Sequence, residues 1–398
     1  MKKNLFLLVG SFLIAAASRA QPGNTLTTIT LTGKVTDSAT GKPIPGCSVY
    51  INSTSLGTVS STDGSFRLHN VPQGRSELVI SAIGYQTYVT EISGSSLPDE
   101  WKVRLRPKIT ELSAVTVEPY DKNGWVKYGQ VFLDNFIGTA GNENVSSCTL
   151  RNHKVLRFFF SKKNNRLSVS ATEPLIIENQ ALGYHIQYQL EQFSLDFNRH
   201  VVLYLGYPLF QEIPTNRKRL LRERLDNRRH AYLGSLRQFV RSLYYDCPGL
   251  QGFSMKLPQM VLNPEKQWVR KVYNPEFSPD NYPEDSLKLY RDILAQPDYL
   301  EKTVPIATND LVNMDRQGTR ILYFTDALEV YYKSDKADKA ERNSKLTLVT
   351  PSPVVLEADG GFYPPKELLA SGRWASTEKI CNLLPFNYQL PEETSPIP

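Results

Sequence analysis

Between Ile29 and Arg106 the chain repeats one pattern. Short runs carry apolar residues at every second position and are separated by Gly, Pro, Asn and Asp. "ITLTGKVTD" puts Ile29, Leu31, Gly33 and Val35 on one face, and "GCSVYI" does the same with Cys47, Val49 and Ile51. "GSFRLHNV" gives Phe66 and Leu68, "SELVISAIG" gives Leu78, Ile80 and Ala82, and "WKVRLR" gives Trp101, Val103 and Leu105. A period of two over four to eight residues, punctuated this often, predicts an antiparallel β-sandwich. Asp63-Gly64, in "TDGSFRLHNVPQG", supplies the positive backbone angles of a two-residue hairpin turn. A lone Asp-Gly pair reads as a turn before it reads as a calcium site.

The ordered set Gly33-Lys34-Val35, "TGKPIPGCSV", "GTVSSTDGSFRL" and "SAIGYQT" resembles the carboxypeptidase regulatory-like domain. The resemblance implies a Greek-key-type, transthyretin-like sandwich of about seven strands over residues 24–107, without catalytic residues of its own. Such modules are common in cell-envelope proteins of the Bacteroidetes type, including the N-termini of TonB-dependent outer-membrane receptors. "ELSAVTVEP" resembles the short strand that often follows the module, here a linker strand over 108–120. The remaining length is too short for a large receptor barrel and lacks its evenly spaced alternating strands.

The first twenty residues read as a signal peptide. Lys2 and Lys3 precede the apolar run "LFLLVGSFLIAAA", and "SRA" places small residues before a cleavage site between Ala20 and Gln21. The expected product is exported, to the periplasm or in association with the outer membrane. No later window is long and apolar enough for a spanning helix. The chain of 398 residues is formally +6, and removing Lys2, Lys3 and Arg19 with the leader leaves about +3. A charge so small over such a length does not call for a polyanionic partner, and nucleic acid is not expected for an exported chain. Cys47, Cys148, Cys247 and Cys381 allow three pairings and match no zinc spacing. Cys47 and Cys381 sit among apolar residues and read as buried thiols rather than as a bridge.

Residues 121–390 predict a mixed domain of antiparallel β-strands and helices, so that the fold class is mainly β with α. "GWVKYGQVFLDNFIG" spaces Trp125, Tyr128, Phe132 and Phe136 as a helix does. "VLRFFFSKKNNRLSVSA" predicts a hairpin. In "YHIQYQLEQFSLDF" the apolar parity switches between Leu190 and Phe193, predicting a bulge near Gln192 or a new strand. Ser376 is expected to cap a helix over "STEKICNLL", and residues 391–398 form a Pro-rich polar tail predicted to be disordered. "AYLGSLRQFVRSLYYDCPGLQGFSM" and "GFYPPKELLASGRWASTEKICNLLPFNY" resemble segments of uncharacterised Bacteroidetes proteins with the same N-terminal module, a resemblance that implies no activity.

Arg217–Arg241 contains nine Lys/Arg and two Asp/Glu, with leucines near helical spacing. It predicts an amphipathic helix, or two helices meeting near Gly234. Arg217, Arg224, Arg228 and Arg229 are its candidates for contact with an anionic surface, including peripheral contact with a membrane. The other reading has the arginines lay their stems over the sheet. None of the five histidines is followed by Glu at the third position, and HExxH, GxSxG and GxxxxGK[ST] are absent. No catalytic residue, cofactor or metal site is expected. The functional expectation is a non-enzymatic envelope protein that binds or scaffolds a protein or glycan partner. The alternative is a hydrolase of envelope or other polymers with an unrecognised active site in 121–390.

Overall fold

A computed structural model describes residues 28–93, 97–108, 120–274, 282–333 and 343–390. The expected leader and Ala20/Gln21 cleavage site, nearly all of the expected linker strand and residues 391–398 lie outside the described residues. Among those described, the chain is mainly β-strand, in several open sheets with helices against them, and no closed barrel. None of the described helices is long and apolar enough to cross a membrane.

The first unit is a two-sheet sandwich. Its strands are β1 (Thr28–Asp37), β2 (Ser48–Ile51), β3 (Gly57–Val59), β4 (Ser65–Pro72), β5 (Ser76–Ser81), β6 (Tyr88–Ile92) and β7 (Trp101–Leu105). One sheet has the order β4-β1-β7, the other β3-β2-β5-β6. The alternating apolar residues meet between them, with Val35, Cys47, Val49, Leu78 and Ile80 fully buried. Two expectations need correction. β1 and β7 pair in parallel, Val35 opposite Val103, so the sandwich is not wholly antiparallel. The Asp63-Gly64 turn does not close a two-residue hairpin: β3 and β4 lie in different sheets, and only Gly64 has a positive φ, +79°. Asp63 Oδ1 instead accepts the backbone N–H and hydroxyl of Ser65, at 3.1 and 2.7 Å. The turn carries the chain from one sheet to the other.

The second unit opens with α1 (Gly124–Phe136). Strands β8 (Cys148–Leu150), β9 (Leu156–Ser161), β10 (Arg166–Ala171), β11 (Leu175–Asn179), β12 (Tyr184–Asp196) and β13 (Val201–Glu212) form one sheet. β12 is its spine, paired with β11 along its first half, with β10 along its second, and with β13 throughout. Its register with β13 shifts between Leu190 and Gln192, the expected bulge. The extra residue turns Phe193 and Leu195 back onto the face that Tyr184, Ile186 and Tyr188 occupy, and all five are buried. Phe132 and Phe136 of α1 seat on that face, against Phe193 and Tyr188, with ring centres 4.8 and 5.0 Å apart. Cys148 and Cys381 are both buried in this core, as Cys47 is in the sandwich, and Cys247 is half-buried.

Helices α2 (Lys218–Tyr232) and α3 (Leu236–Tyr244) lead into a third unit. It comprises β14 (Phe253–Leu262), α4 (Pro264–Val272), α5 (Glu284–Ala295), β15 (Tyr299–Pro305), α6 (Thr308–Leu311), β16 (Val312–Met314) and β17 (Arg320–Leu322). β18 (Leu328–Tyr332), β19 (Asn343–Leu348), β20 (Val354–Leu356), β21 (Phe362–Tyr363), β22 (Leu368–Gly372) and α7 (Arg373–Thr377) follow. The sheets β15-β14-β18-β19-β22 and β16-β17-β20-β21 share one core with α3 and Trp374. Ser376 does not cap a helix. It lies inside α7, donating its hydroxyl to the Arg373 carbonyl at 2.8 Å, and residues 380–382 form a 3₁₀ turn. The 121–390 region thus holds two apolar cores, and the segment from Ile380 to Leu390 leaves the third unit to complete the core of the second.

Candidate functional site

α2 and α3 join the second and third units, and the cationic stretch singled out in the sequence lies on them. α2 is rich in Arg and Leu, strong helix formers. It stops where Gly234 takes φ +76°, a left-handed position that suits glycine. A Cβ there would also lie 2.6 Å from the Tyr332 ring. Ser235 then caps α3, its hydroxyl accepting the Gln238 N–H at 3.1 Å, while the Gln238 side chain accepts the Gly234 N–H at 2.7 Å. The two helices predicted to meet near Gly234 do so.

α2 turns cations as well as an apolar residue toward the protein. Its inner face carries Arg224, Arg228 and Tyr232, at 3, 8 and 1 % exposure, while Leu221 and Leu225, three residues before the two arginines on the same side, stay 46 and 40 % exposed. The cause lies in what the helix covers. The bend before β12 and the end of β13 present bare carbonyls, and buried carbonyls require donors. Arg224 donates to the Gln180 and Ile213 carbonyls at 3.3 and 2.6 Å and to the Gln180 side chain at 3.1 Å. Arg228 donates to the Leu182 carbonyl and to Glu212, both at 2.7 Å, and stacks over Tyr184. Of the four arginines expected at an anionic surface, Arg224 and Arg228 are therefore excluded by burial. Arg217 is exposed at the start of α2 and Arg229 is half-exposed. The structure splits the four instead of bringing them together.

Beneath the α2–α3 elbow lies a cavity of about 170 Å³, lined mostly by apolar side chains, among them Tyr232, Leu236, Phe362, Leu384 and Phe386. Cavities that enclose a drug-sized ligand run to roughly 300–1,000 Å³. Its polar lining is engaged in holding the chain. Arg237 donates to the carbonyls of Asp359, Pro385 and Tyr388 at 2.9, 2.6 and 2.7 Å, and also to that of Phe386. Glu378 accepts the Leu236 N–H at 3.0 Å, and burial pushes its carboxyl up to about 7. Asn382 donates to Asn142 and the Thr377 carbonyl at 3.1 and 3.0 Å and accepts from Asn144 at 3.0 Å. Among the described residues no three His, Cys, Asp or Glu side chains converge as metal ligands. Neither Arg237 nor Glu378 stands out in the sequence, because the carbonyls and amides they serve come from segments far along the chain.

The sandwich is joined to both later units. The Ser53 N–H donates to the Pro208 carbonyl at 2.9 Å, and the Phe210 N–H returns to the Thr54 carbonyl at 3.0 Å. The Phe386 N–H reaches the Ser53 carbonyl at 2.7 Å. Tyr50, Val79 and Leu209 are buried together at this junction, and the Tyr50 hydroxyl donates to the Tyr207 carbonyl at 2.9 Å. Close by, Arg75 lies 3.8 Å from Glu357. Burial and the neighbouring Asp359 push the Glu357 carboxyl up to about 7.

The chain matches no curated protein. Among solved structures it is similar to a protein from Bacteroides fragilis NCTC 9343 described as membrane-associated and of unknown function. That comparison has 10% identity, covers 87% of this chain and 95% of the other, and has a TM-score of 0.17. Residues 31–117 match the family described as the CarboxypepD_reg-like domain. The seven-stranded sandwich described above is accordingly a carboxypeptidase regulatory-like domain.

Proposed function

We propose that this chain is a non-catalytic binding or scaffolding protein of the cell envelope, exported by its leader and presenting its surface to a protein or glycan partner. The observation that carries the reading is the state of the cavity under the α2–α3 elbow. Its polar side chains, Ser235, Arg237, Glu378 and Asn382, are committed to structural hydrogen bonds. An acid or nucleophile that catalyses has to face a reacting atom with its lone pair or proton available. The regulatory-like domain agrees with an accessory role, and its backbone join to the second unit would hold the two surfaces in fixed relation.

The test is turnover. Purified protein lacking residues 1–20 is offered ester, peptide and glycoside substrates, alongside a Glu378→Gln variant. The expected result is no turnover by either. Hydrolysis by the parent protein that the single substitution abolishes would overturn the proposal. Chemical cross-linking in native membranes, followed by mass spectrometry, then identifies the partner.

A further inference from the structure

We propose that the contact between the β4–β5 turn of the sandwich and Glu357 of the third unit is a pH-operated clasp, closed in acid and loosened as the solution turns alkaline. The clasp goes beyond the binding reading above and holds whichever partner the protein takes. Glu357 follows β20, in the turn that leads to β21, and is half-buried. Gly74 packs on its carboxyl group: a Cβ there would stand 3.7 Å from Oε2. The Arg75 backbone N–H donates to the same group. Arg75 Nε is 3.8 Å from Oε1, but this guanidinium is engaged with Glu91 at 2.6 Å. Glu77 stands opposite Glu91 in the β5–β6 pair, where like charges repel. Asp359 is two residues along the turn from Glu357, its Oδ1 held by the Gly361 N–H at 2.8 Å.

The charged and titratable groups that act on Glu357 are mostly acidic. The sandwich brings Arg75 and Glu91, with Glu77 behind them, while the third unit brings Asp359 and Tyr363 and α3 brings Tyr244. Arg75 is shared with Glu91, and Lys366 acts on Glu77. Ionising Glu357 therefore adds a carboxylate to a contact already rich in them. Burial and Asp359 raise its carboxyl from 4.5 to about 7, against the pull of Arg75. When the turn lifts away, water solvates the carboxylate and ionisation becomes easier. Closing thus holds a proton that opening releases. The clasp has its full strength below about pH 4.5 and loses it as pH rises to about 7. The backbone bonds that tie Ser53 and Thr54 to Pro208, Phe210 and Phe386 contain no titrating group. The sandwich therefore stays attached while the β4–β5 turn is covered or presented.

The experiment is hydrogen–deuterium exchange with mass spectrometry on the full chain lacking residues 1–20, from pH 5 to pH 8. Each rate is divided by that of the unstructured peptide at the same pH. Parent protein is compared with Glu357→Gln and Asp359→Asn, and circular dichroism checks each fold. The Arg75 amide, bonded to Glu357, is the reporter. In the parent its protection should fall at least about tenfold across that range, while β12 keeps its own. Glu357→Gln should hold the turn's protection constant. Asp359→Asn removes a neighbouring charge, so its loss should be smaller than the parent's. Flat protection of the turn in the parent would overturn the proposal. So would an equal fall in Glu357→Gln, or a fall shared by β12, which would mark global unfolding. If Glu357→Gln does not fold, Asp359→Asn decides, and a fall equal to the parent's removes the clasp.

Discussion

The guanidinium of Arg228 lies 4.1 Å from the centre of the Tyr184 ring, so a residue of the cationic helix forms part of the wall of the second unit's core. The same side chain also holds the Leu182 carbonyl and Glu212. Arg228→Glu should therefore destabilise the protein by about 3 kcal/mol, because the partners of a buried charge are left unpaired. Arg222→Glu, one and a half turns away and exposed, should change stability by less than about 0.5 kcal/mol. Urea unfolding of the two variants makes the comparison, and equal losses would contradict the assignment of Arg228 to the interior.

Tyr50 and Leu209 couple the sandwich to the sheet of the second unit. Tyr50→Phe should cost about 1 kcal/mol for the lost hydrogen bond. Leu209→Ala should cost about 2–3 kcal/mol and loosen the junction. The fragment 24–107, which keeps its own buried core, is expected to unfold cooperatively, at a lower temperature than the same domain in the full chain. Calorimetry of fragment and full chain reads all three effects, and a fragment without a transition would sink the claim of a self-sufficient core.

Gly234→Ala should destabilise by about 2 kcal/mol or more, since it combines a positive φ with a Cβ pressed against Tyr332. Gly41, with a similar φ of +68° but no atom within 4 Å of its would-be Cβ, provides the comparison. Gly41→Ala should cost only the backbone part, about 1 kcal/mol. Thermal denaturation of both separates conformational strain from collision.

Glu357 and Glu378 are both raised from 4.5 to about 7 in the folded chain. Between those values the folded state holds protons that the unfolded state has lost. Their contribution to stability is therefore present below about pH 4.5 and is lost as pH rises to about 7. Glu378→Gln cannot ionise, so its stability relative to the parent should rise by about 2–3 kcal/mol from pH 5 to pH 8. Denaturant titrations at several pH values check the sign. A difference that stays flat would place the Glu378 carboxyl in ordinary solvent.

What was legible in the sequence follows the range of each signal. The bulge in β12 could be read because the parity flip after Leu190 is visible within six residues, and the α2–α3 elbow because Gly234 interrupts a helical period. The Asp63-Gly64 turn differs from a hairpin because local turn chemistry does not say whether the flanking strands share a sheet. The parallel β1–β7 pair joins residues too distant for any local window. The inward turn of Arg224 and Arg228 depends on carbonyls at Gln180, Leu182 and Ile213, which a helical wheel does not contain. The elbow cavity was illegible for the same reason: Arg237 meets its carbonyls more than a hundred residues away.

The return of residues 380–390 to the core of the second unit bears on the order of folding as well as on stability. Cys381 offers its carbonyl to the side chain of Asn179, 202 residues earlier, at 2.8 Å. A chain that folds from its N-terminus as it emerges can therefore complete its sandwich while its first large sheet is unfinished, the seat of Ile380, Cys381 and Leu384 open until the end of the chain arrives. Through that interval an apolar cleft stays exposed, and such surface is what chaperones hold and proteases find. Premature termination anywhere before Ile380 would damage the part of the protein built long before the stop.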